Sequence, residues 1–200
     1  MPVEGSVPET QDGKSPWREL GGTPKRRYMN WDKVYESGRE FTPVSEIVLD
    51  NVFNVTRNKT IKDILDVGCG RGQLIKQLEC RGFEVDGIDL SKHSSHMVGD
   101  FMKKDLPKYD MIVANKVIAF NKPEEFINKV QKTLNKNGVF VCITPVLYAK
   151  YQDKYNQKLQ SISIDSVRLD EILWSKFENV KIIDTRHFDD YGVELTYVCS

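Results

Sequence analysis

Short runs of branched and aromatic residues alternate with stretches of helical apolar spacing along most of this chain. That alternation constrains its fold more than any other feature. Ile61 to Val67 (IKDILDV), Phe83 to Leu90 (FEVDGIDL), Tyr109 to Asn115 (YDMIVAN) and Gly138 to Thr144 (GVFVCIT) predict buried strands. Gly72 to Arg81 predicts a helix with Leu74, Ile75 and Leu78 inward and Gly82 as its stop. Pro123 to Leu134 predicts another, with Phe126, Ile127, Val130 and Leu134 inward. Ahead of the first strand, Met29 to Ser37 predicts a short helix. Thr42-Pro43 then predicts a helix start, Thr as N-cap and Pro at the first helical position, followed by Val44, Ile47, Val48 and Val52. Such a succession predicts an α/β fold, a parallel sheet covered by helices on both faces. After a polar, tyrosine-rich stretch (Pro145 to Asp165), Ser166 to Phe177 predicts the last helix. Val180 to Thr185 and Val193 to Cys199 follow with only a turn-like Asp189-Asp190-Tyr191-Gly192 between them, so they are expected to pair antiparallel.

The chain has 200 residues, 40% hydrophobic and 29% charged, which is the composition of one ordinary globular domain. Four of the eight prolines (Pro2, Pro8, Pro16, Pro24) and four of the 13 glycines (Gly5, Gly13, Gly21, Gly22) fall before residue 28. Residues 1–27 are therefore expected to form a mobile tail, and 28–200 the single folded domain. No apolar run approaches the roughly 20 residues that span a bilayer, and the N-terminus has no apolar secretory core. The cysteines Cys69, Cys80, Cys142 and Cys199 lie far apart, which argues against a disulfide framework or a zinc site and for a reducing, cytoplasmic setting. Lys+Arg 29 against Asp+Glu 29 gives no net charge, unlike a dedicated duplex-nucleic-acid binder.

The candidate chemistry sits at Asp66-Val67-Gly68-Cys69-Gly70-Arg71-Gly72, where a predicted strand ends and a helix opens. Glycines there let the backbone turn sharply and approach a ligand. The spacing is neither the dinucleotide fingerprint nor a phosphate-cradling loop with Lys-Ser/Thr. Asp66 stands just before the glycines, poorly placed for a pyrophosphate and well placed for a cation. Asp89, at the end of the second strand, can accept from both hydroxyls of a ribose. Gly99-Asp100-Phe101 offers a polar contact for an adenine amine and a ring for its face. Together these describe a site for a positively charged nucleoside without phosphates.

The chain resembles the class I S-adenosylmethionine-dependent methyltransferases. ILDVGCGRG matches their glycine motif, GIDLS their acidic second-strand end and VGDF their third motif. YDMIVANKVI matches their fourth strand and LNKNGVFVCITP their fifth, in order over roughly residues 40 to 199. Trp31 to Phe41 (WDKVYESGREF) is similar to the opening of thiopurine- and tellurite-type enzymes, where this segment folds over the cofactor. The resemblance implies a three-layer, Rossmann-like sheet of seven strands in the order 3-2-1-4-5-7-6 with strand 7 antiparallel. It implies S-adenosylmethionine as cofactor, S-adenosylhomocysteine as product, and direct displacement of the methyl group without a metal. The cofactor residues implied are Asp66, Gly68, Cys69, Gly70, Asp89, Leu90, Asp100, Phe101 and Asn115, with Asn115 also facing the acceptor. Candidate acceptor-pocket residues are Trp31, Tyr35, Arg39, Lys116, Phe120, Thr144, Tyr148 and Tyr151. No general base is named, because Ala119-Phe120 stands where many relatives carry a histidine.

One departure stands out. Only nine residues separate Asp89 from Gly99, too few for a full helix and a third strand, so that helix is expected to be missing or reduced to a turn. Several residues carry a plainer reading beside the functional one. Gly-Asp at residue 100 is also ordinary turn chemistry, Asn115 also suits a strand end, and Cys69 suits packing better than nucleophilic attack. His93 and His96 suit a solvated loop better than a metal. The acceptor expected is a small molecule. RNA or protein, with Lys25-Arg26-Arg27 as a basic patch, and a non-catalytic partner subunit are the alternatives.

Overall fold

A computed structural model of the protein describes residues 30–38, 43–147, 166–188 and 192–200. The predicted tail, the Thr42 cap, Arg39, Tyr148, Tyr151 and the Asp189–Tyr191 turn lie outside the described residues. The elements in chain order are α1 (Trp31–Glu36), α2 (Glu46–Thr56), β1 (Asp63–Val67), α3 (Gln73–Glu79), β2 (Glu84–Asp89), β3 (Met97–Val98) and β4 (Tyr109–Asn115). A 3-10 turn (Ile118–Phe120), α4 (Pro123–Thr133), β5 (Leu134–Leu147), α5 (Ser166–Lys176), β6 (Val180–Phe188) and β7 (Gly192–Cys199) complete them.

The strands form one seven-stranded sheet in the order β3-β2-β1-β4-β5-β7-β6. β1 to β5 pair in parallel, and β7 runs antiparallel to both β5 and β6. This is the order and handedness of pairing that the resemblance implied.

Alternating side chains on the central strands explain why both faces are covered. Leu65, Val67, Ile112, Ala114, Phe140 and Cys142 meet Phe126, Ile127 and Val130 of α4 and Leu169 and Leu173 of α5. Their neighbours Ile64, Met111, Val113, Val139, Val141 and Ile143 meet Val48, Leu49 and Val52 of α2 and Leu74 and Leu78 of α3. On the α2 side, Phe53 stacks on Phe83 at 4.8 Å, and Arg81 ties Glu46 and Asp50 to the end of α3.

α2 begins later than Thr42-Pro43 suggested. Ser45 is its N-cap, and the Ser45 hydroxyl accepts from the Val48 N–H at 3.3 Å. The sequence offers two cap residues, and the one directly ahead of the apolar period prevails. At the other end of α3, Gly82 has φ +87°, as its stop role requires.

The left side of the sheet is lean. A turn from Leu90 to His96 replaces the helix after β2, as the residue count predicted, and β3 has shrunk to two residues. The β3–β4 crossover likewise contains no helix. Phe101 fills its place, 5% exposed, packed at 5.4 Å against Phe126, with Met102 and Leu106 beside it. Leu90 and Val98 remain exposed at this edge.

Phe126 joins Phe101 to Phe140 across the α4 face and is 1% exposed. Phe126→Ala is expected to lower stability by roughly 3–5 kcal/mol. Ile47→Ala, at a side chain 70% exposed, should stay within about 0.5 kcal/mol. Urea unfolding of the two variants checks the contrast.

Candidate functional site

The loops that follow β2 and β4 meet the loop that follows β1 at residues 66 to 72. Gly68, Gly70 and Gly72 take φ of +75°, +54° and +73°, a left-handed backbone that side chains rarely adopt. Each is also closely overlaid. A Cβ on Gly68 would lie 2.3 Å from Val117, one on Gly70 2.4 Å from the Tyr35 hydroxyl, and one on Gly72 2.7 Å from His96. The glycines thus serve the packing of this loop as well as access to its backbone.

Asp89 anchors the loop. One of its carboxylate oxygens accepts from the Gly70 N–H at 3.0 Å, and the other from the Ser91 N–H at 2.8 Å. The Gly68 and Cys69 N–H groups donate to the Ile88 carbonyl, at 2.7 and 3.3 Å. Asp66 is 2% exposed. Among the described residues no donor bonds its carboxylate. Burial, and then the charge of nearby Asp89, push its pKa up to about 7. A buried carboxylate without a donor is a site prepared for a cation.

Cys69 turns away from this space. Its thiol packs beneath Gly87 and contacts the Ser94 hydroxyl at 3.4 Å, and burial pushes its pKa up to about 12. A protonated packing thiol leaves only the backbone of Cys69 for ligand contact.

Helix α1 lies across the loop as a strap. Asp32 accepts from the Ser91 hydroxyl at 2.7 Å and the Lys92 N–H at 2.9 Å. Glu36 meets Lys92 and His93, each at 3.3 Å. Arg71 donates to the Tyr35 carbonyl at 3.2 Å, and Trp31 packs edge-on to Phe120 at 5.0 Å. α1 therefore touches the loops that end β1, β2 and β4. Tyr35 is the buried residue of the strap, its hydroxyl over Gly70. Burial and then the charge of Asp89 push its phenol further above the usual tyrosine range, so it stays protonated. The WDKVYE segment thus covers the glycine loop, and His93 and His96 join the packing around it.

Asp100 and Phe101, expected at the adenine, have other partners among the described residues. The Asp100 carboxylate accepts from Met102 N–H at 3.0 Å and pairs with Lys103 at 3.3 Å, which is turn chemistry. The Phe101 ring is given over to the core, packed with Met102 and Leu106 where the crossover contains no helix.

A second concavity opens beside Asn115. Ser45 and Val48 of α2, Lys116 and Ile143 at the ends of β4 and β5, and Arg186 and Glu194 on the terminal hairpin face into it. The Asn115 amide oxygen is buried without a hydrogen-bond partner among the described residues. Lys116 has φ +60° and pairs with Glu194 at 2.9 Å. Arg186 and Glu194 are register partners across β6 and β7. Sequence reading placed Asn115 and Lys116 here but missed Ser45, Arg186 and Glu194. No local motif marks them, and only the register of the hairpin aligns them with the β4 end. Thr144, a candidate wall, is 0% exposed and shares the face of Phe140 and Cys142, so it does not line this cleft. Leu90 stands exposed just past Asp89.

Residues 40–177 match a family model described as a methyltransferase domain. A ubiquinone biosynthesis O-methyltransferase of Chromobacterium violaceum is 42% identical over 66 residues, 32% of this chain and 27% of that protein. Another, of Rickettsia akari, is 24% identical over 148 residues, 64% of this chain and 59% of that protein. This chain thus spans less than two thirds of the curated relatives it matches. Among solved structures, the plantazolicin methyltransferase BpumL superposes with a TM-score of 0.61 at 16% identity, covering 85% of this chain and 90% of that one. A Haemonchus contortus phosphoethanolamine N-methyltransferase gives 0.60 at 13% identity, covering 76% and 52%. Magnesium protoporphyrin IX methyltransferase of Synechocystis PCC 6803 gives 0.56 at 15% identity, covering 85% and 94%. With the family model spanning most of its length and the sheet in the order this fold requires, the chain belongs to the methyltransferase domain family, the class I S-adenosylmethionine-dependent methyltransferases.

Proposed function

We propose that this chain transfers a methyl group from S-adenosylmethionine to a small-molecule acceptor. The observation that carries this reading is the buried carboxylate pair, Asp66 and Asp89, at a loop of three left-handed glycines. Asp66 lacks a donor where a cationic ligand would supply one. Asp89 spends one lone pair of each oxygen on a backbone N–H and retains others for ribose hydroxyls. S-adenosylmethionine, when bound, supplies an electrophilic methyl on a sulfonium, which a nucleophile takes in line as the carbon–sulfur electron pair leaves on sulfur.

The protein's share of the work is orientation and charge. Asp66 faces the ammonium end, Gly68, Cys69 and Gly70 present backbone, and Leu90 flanks the nucleoside. Fixing a nucleophile at the Asn115 side, in line with the methyl, supplies up to roughly 7–11 kcal/mol of barrier reduction in well-oriented reactions. Tyr35 occupies the space directly over Gly70, so the α1 strap shifts to admit the ligand and then closes on it. The cleft beside Asn115 and the small-molecule substrates in the names of the curated relatives support a small acceptor over RNA or protein.

Titration calorimetry with S-adenosylhomocysteine tests the site. Saturable binding is expected, weakened at least about tenfold in Asp89→Ala and in Asp66→Ala, since each loses a charge-assisted partner. A wild-type protein that binds neither S-adenosylhomocysteine nor S-adenosylmethionine sinks the reading.

Asp66 adds a pH dependence. Its folded pKa of about 7 lies above the ordinary 3.8, so its contribution to stability is complete below about pH 4 and is lost as pH rises through about 7. Urea midpoints of the ligand-free protein should therefore fall over that window more steeply in wild type than in Asp66→Asn. The ionised form attracts the cation, so cofactor affinity should rise through about pH 7 in wild type and stay flatter in the variant. Parallel profiles would assign the charge to another group.

A further inference from the structure

We propose that the cleft beside Asn115 is the acceptor site, and that it selects a small molecule bearing a carboxylate, held by Arg186, and a hydroxyl or amine that donates to Asn115. The inference rests on the methyl-transfer reading, because it takes the Asn115 end of the cleft as the end that meets the methyl group. Asn115 is well placed for that. It follows Ala114, which is in register with Val67, the residue before the glycine loop.

Two polar groups in the cleft are incompletely used. Among the described residues no donor meets the buried Asn115 amide oxygen, and a ligand O–H or N–H would complete it. Arg186 donates Nε–H to Asp184 at 3.1 Å and one further N–H to the Ser45 hydroxyl. The rest of its fork has no protein acceptor among the described residues, and it faces the cleft. A guanidinium with free paired donors matches a carboxylate geometrically.

The other charges do not cancel this preference. Glu194 is largely buried and is neutralised by Lys116 at 2.9 Å. Asp184 pairs with Arg186 from outside the cleft lining. Within the lining Lys116 and Glu194 balance, and Arg186, whose Nε–H is taken by Asp184 from outside it, is the remaining cation. Lys116 has a positive φ and its N–H donates to the Ile143 carbonyl at 2.7 Å, while the Glu194 carboxylate at 2.9 Å holds its ammonium.

Ligand-observed NMR on the full chain, with and without S-adenosylhomocysteine, tests the assignment. The probes are salicylate, 4-hydroxybenzoate and 3-hydroxybutyrate, each beside its methyl ester. At least one acid is expected to bind about tenfold or more tightly than its ester, roughly the worth of one charge-assisted pair. Arg186→Gln should bring that acid down to its ester's level, Arg186→Lys should restore part of the difference, and S-adenosylhomocysteine affinity should not change. Equal binding of acids and esters, binding of none of the acids, or an unchanged acid preference in Arg186→Gln overturns the acceptor-site proposal. Loss of S-adenosylhomocysteine binding in the wild type instead overturns the methyl-transfer reading, while the acid preference is still read on the ligand-free protein.

Discussion

The Asp89 carboxylate holds the carboxyl end of this sheet together. One oxygen bonds the Gly70 N–H and the other the Ser91 N–H. It thereby couples the loop after β1 to the turn after β2, beside the Gly68 and Cys69 N–H bonds to the Ile88 carbonyl. The strap depends on the same junction, since Asp32 of α1 bonds Ser91 and Lys92 just beyond it. Tyr35 is then carried over Gly70. One buried charge, satisfied by two backbone donors, thus sets loop, turn and strap in a common frame.

That frame is needed because the left half of the fold is sparse. Neither the β2–β3 nor the β3–β4 connection contains a helix, and β3 contributes two residues. The fold compensates on each face differently. Beneath the sheet, Phe101 supplies apolar cover against Phe126. At its carboxyl end, α1 replaces regular crossover structure with ion pairs and side-chain bonds to the Ser91–His93 turn. A six-residue strap whose ion pairs are exposed and whose apolar anchors are Trp31 and Tyr35 opens at lower cost than a longer packed helix. Economy in the crossovers and a movable cover over the glycine loop are therefore two sides of one arrangement.

Both core faces were legible in the sequence, because apolar alternation on β1, β4 and β5 and helical spacing on α3 and α4 are local signals that burial on two faces enforces, whereas the strand order came from the family resemblance. Asp66, Asp89 and the glycines were legible for the same reason: they lie within one strand–loop–helix unit and its neighbour. What escaped depends on distance. The core packing of Phe101 depended on a missing helix in the next crossover, which its motif context does not show. The Ser45 cap competed with Thr42-Pro43, and only packing decided between them. Arg186 and Glu194 reach the cleft through the pairing of β6 with β7 and of β7 with β5, a register that no short motif records.

Among the described residues a few buried polar atoms lack a partner, the Asn115 amide oxygen and the Thr144 hydroxyl among them, and no donor bonds the Asp66 carboxylate. Most buried polar groups here are answered from within the chain. Thr56 and Thr133 bond helix carbonyls of their own turns, and the Tyr109 hydroxyl bonds Asp86. Asp66 and Asn115 stand instead at the ends of adjacent strands, with a carboxylate and an amide oxygen that no described residue answers. Selection for stability alone would favour apolar or self-bonded side chains at both positions, since an unanswered buried polar group costs roughly 1–3 kcal/mol and a charge costs more. Keeping both, side by side and flanked by the left-handed loop, favours a two-part ligand. Its cation would meet Asp66, and its partner's donor would meet Asn115. The destabilisation is local to the place where two reactants would be brought together, and binding would relieve it at both ends.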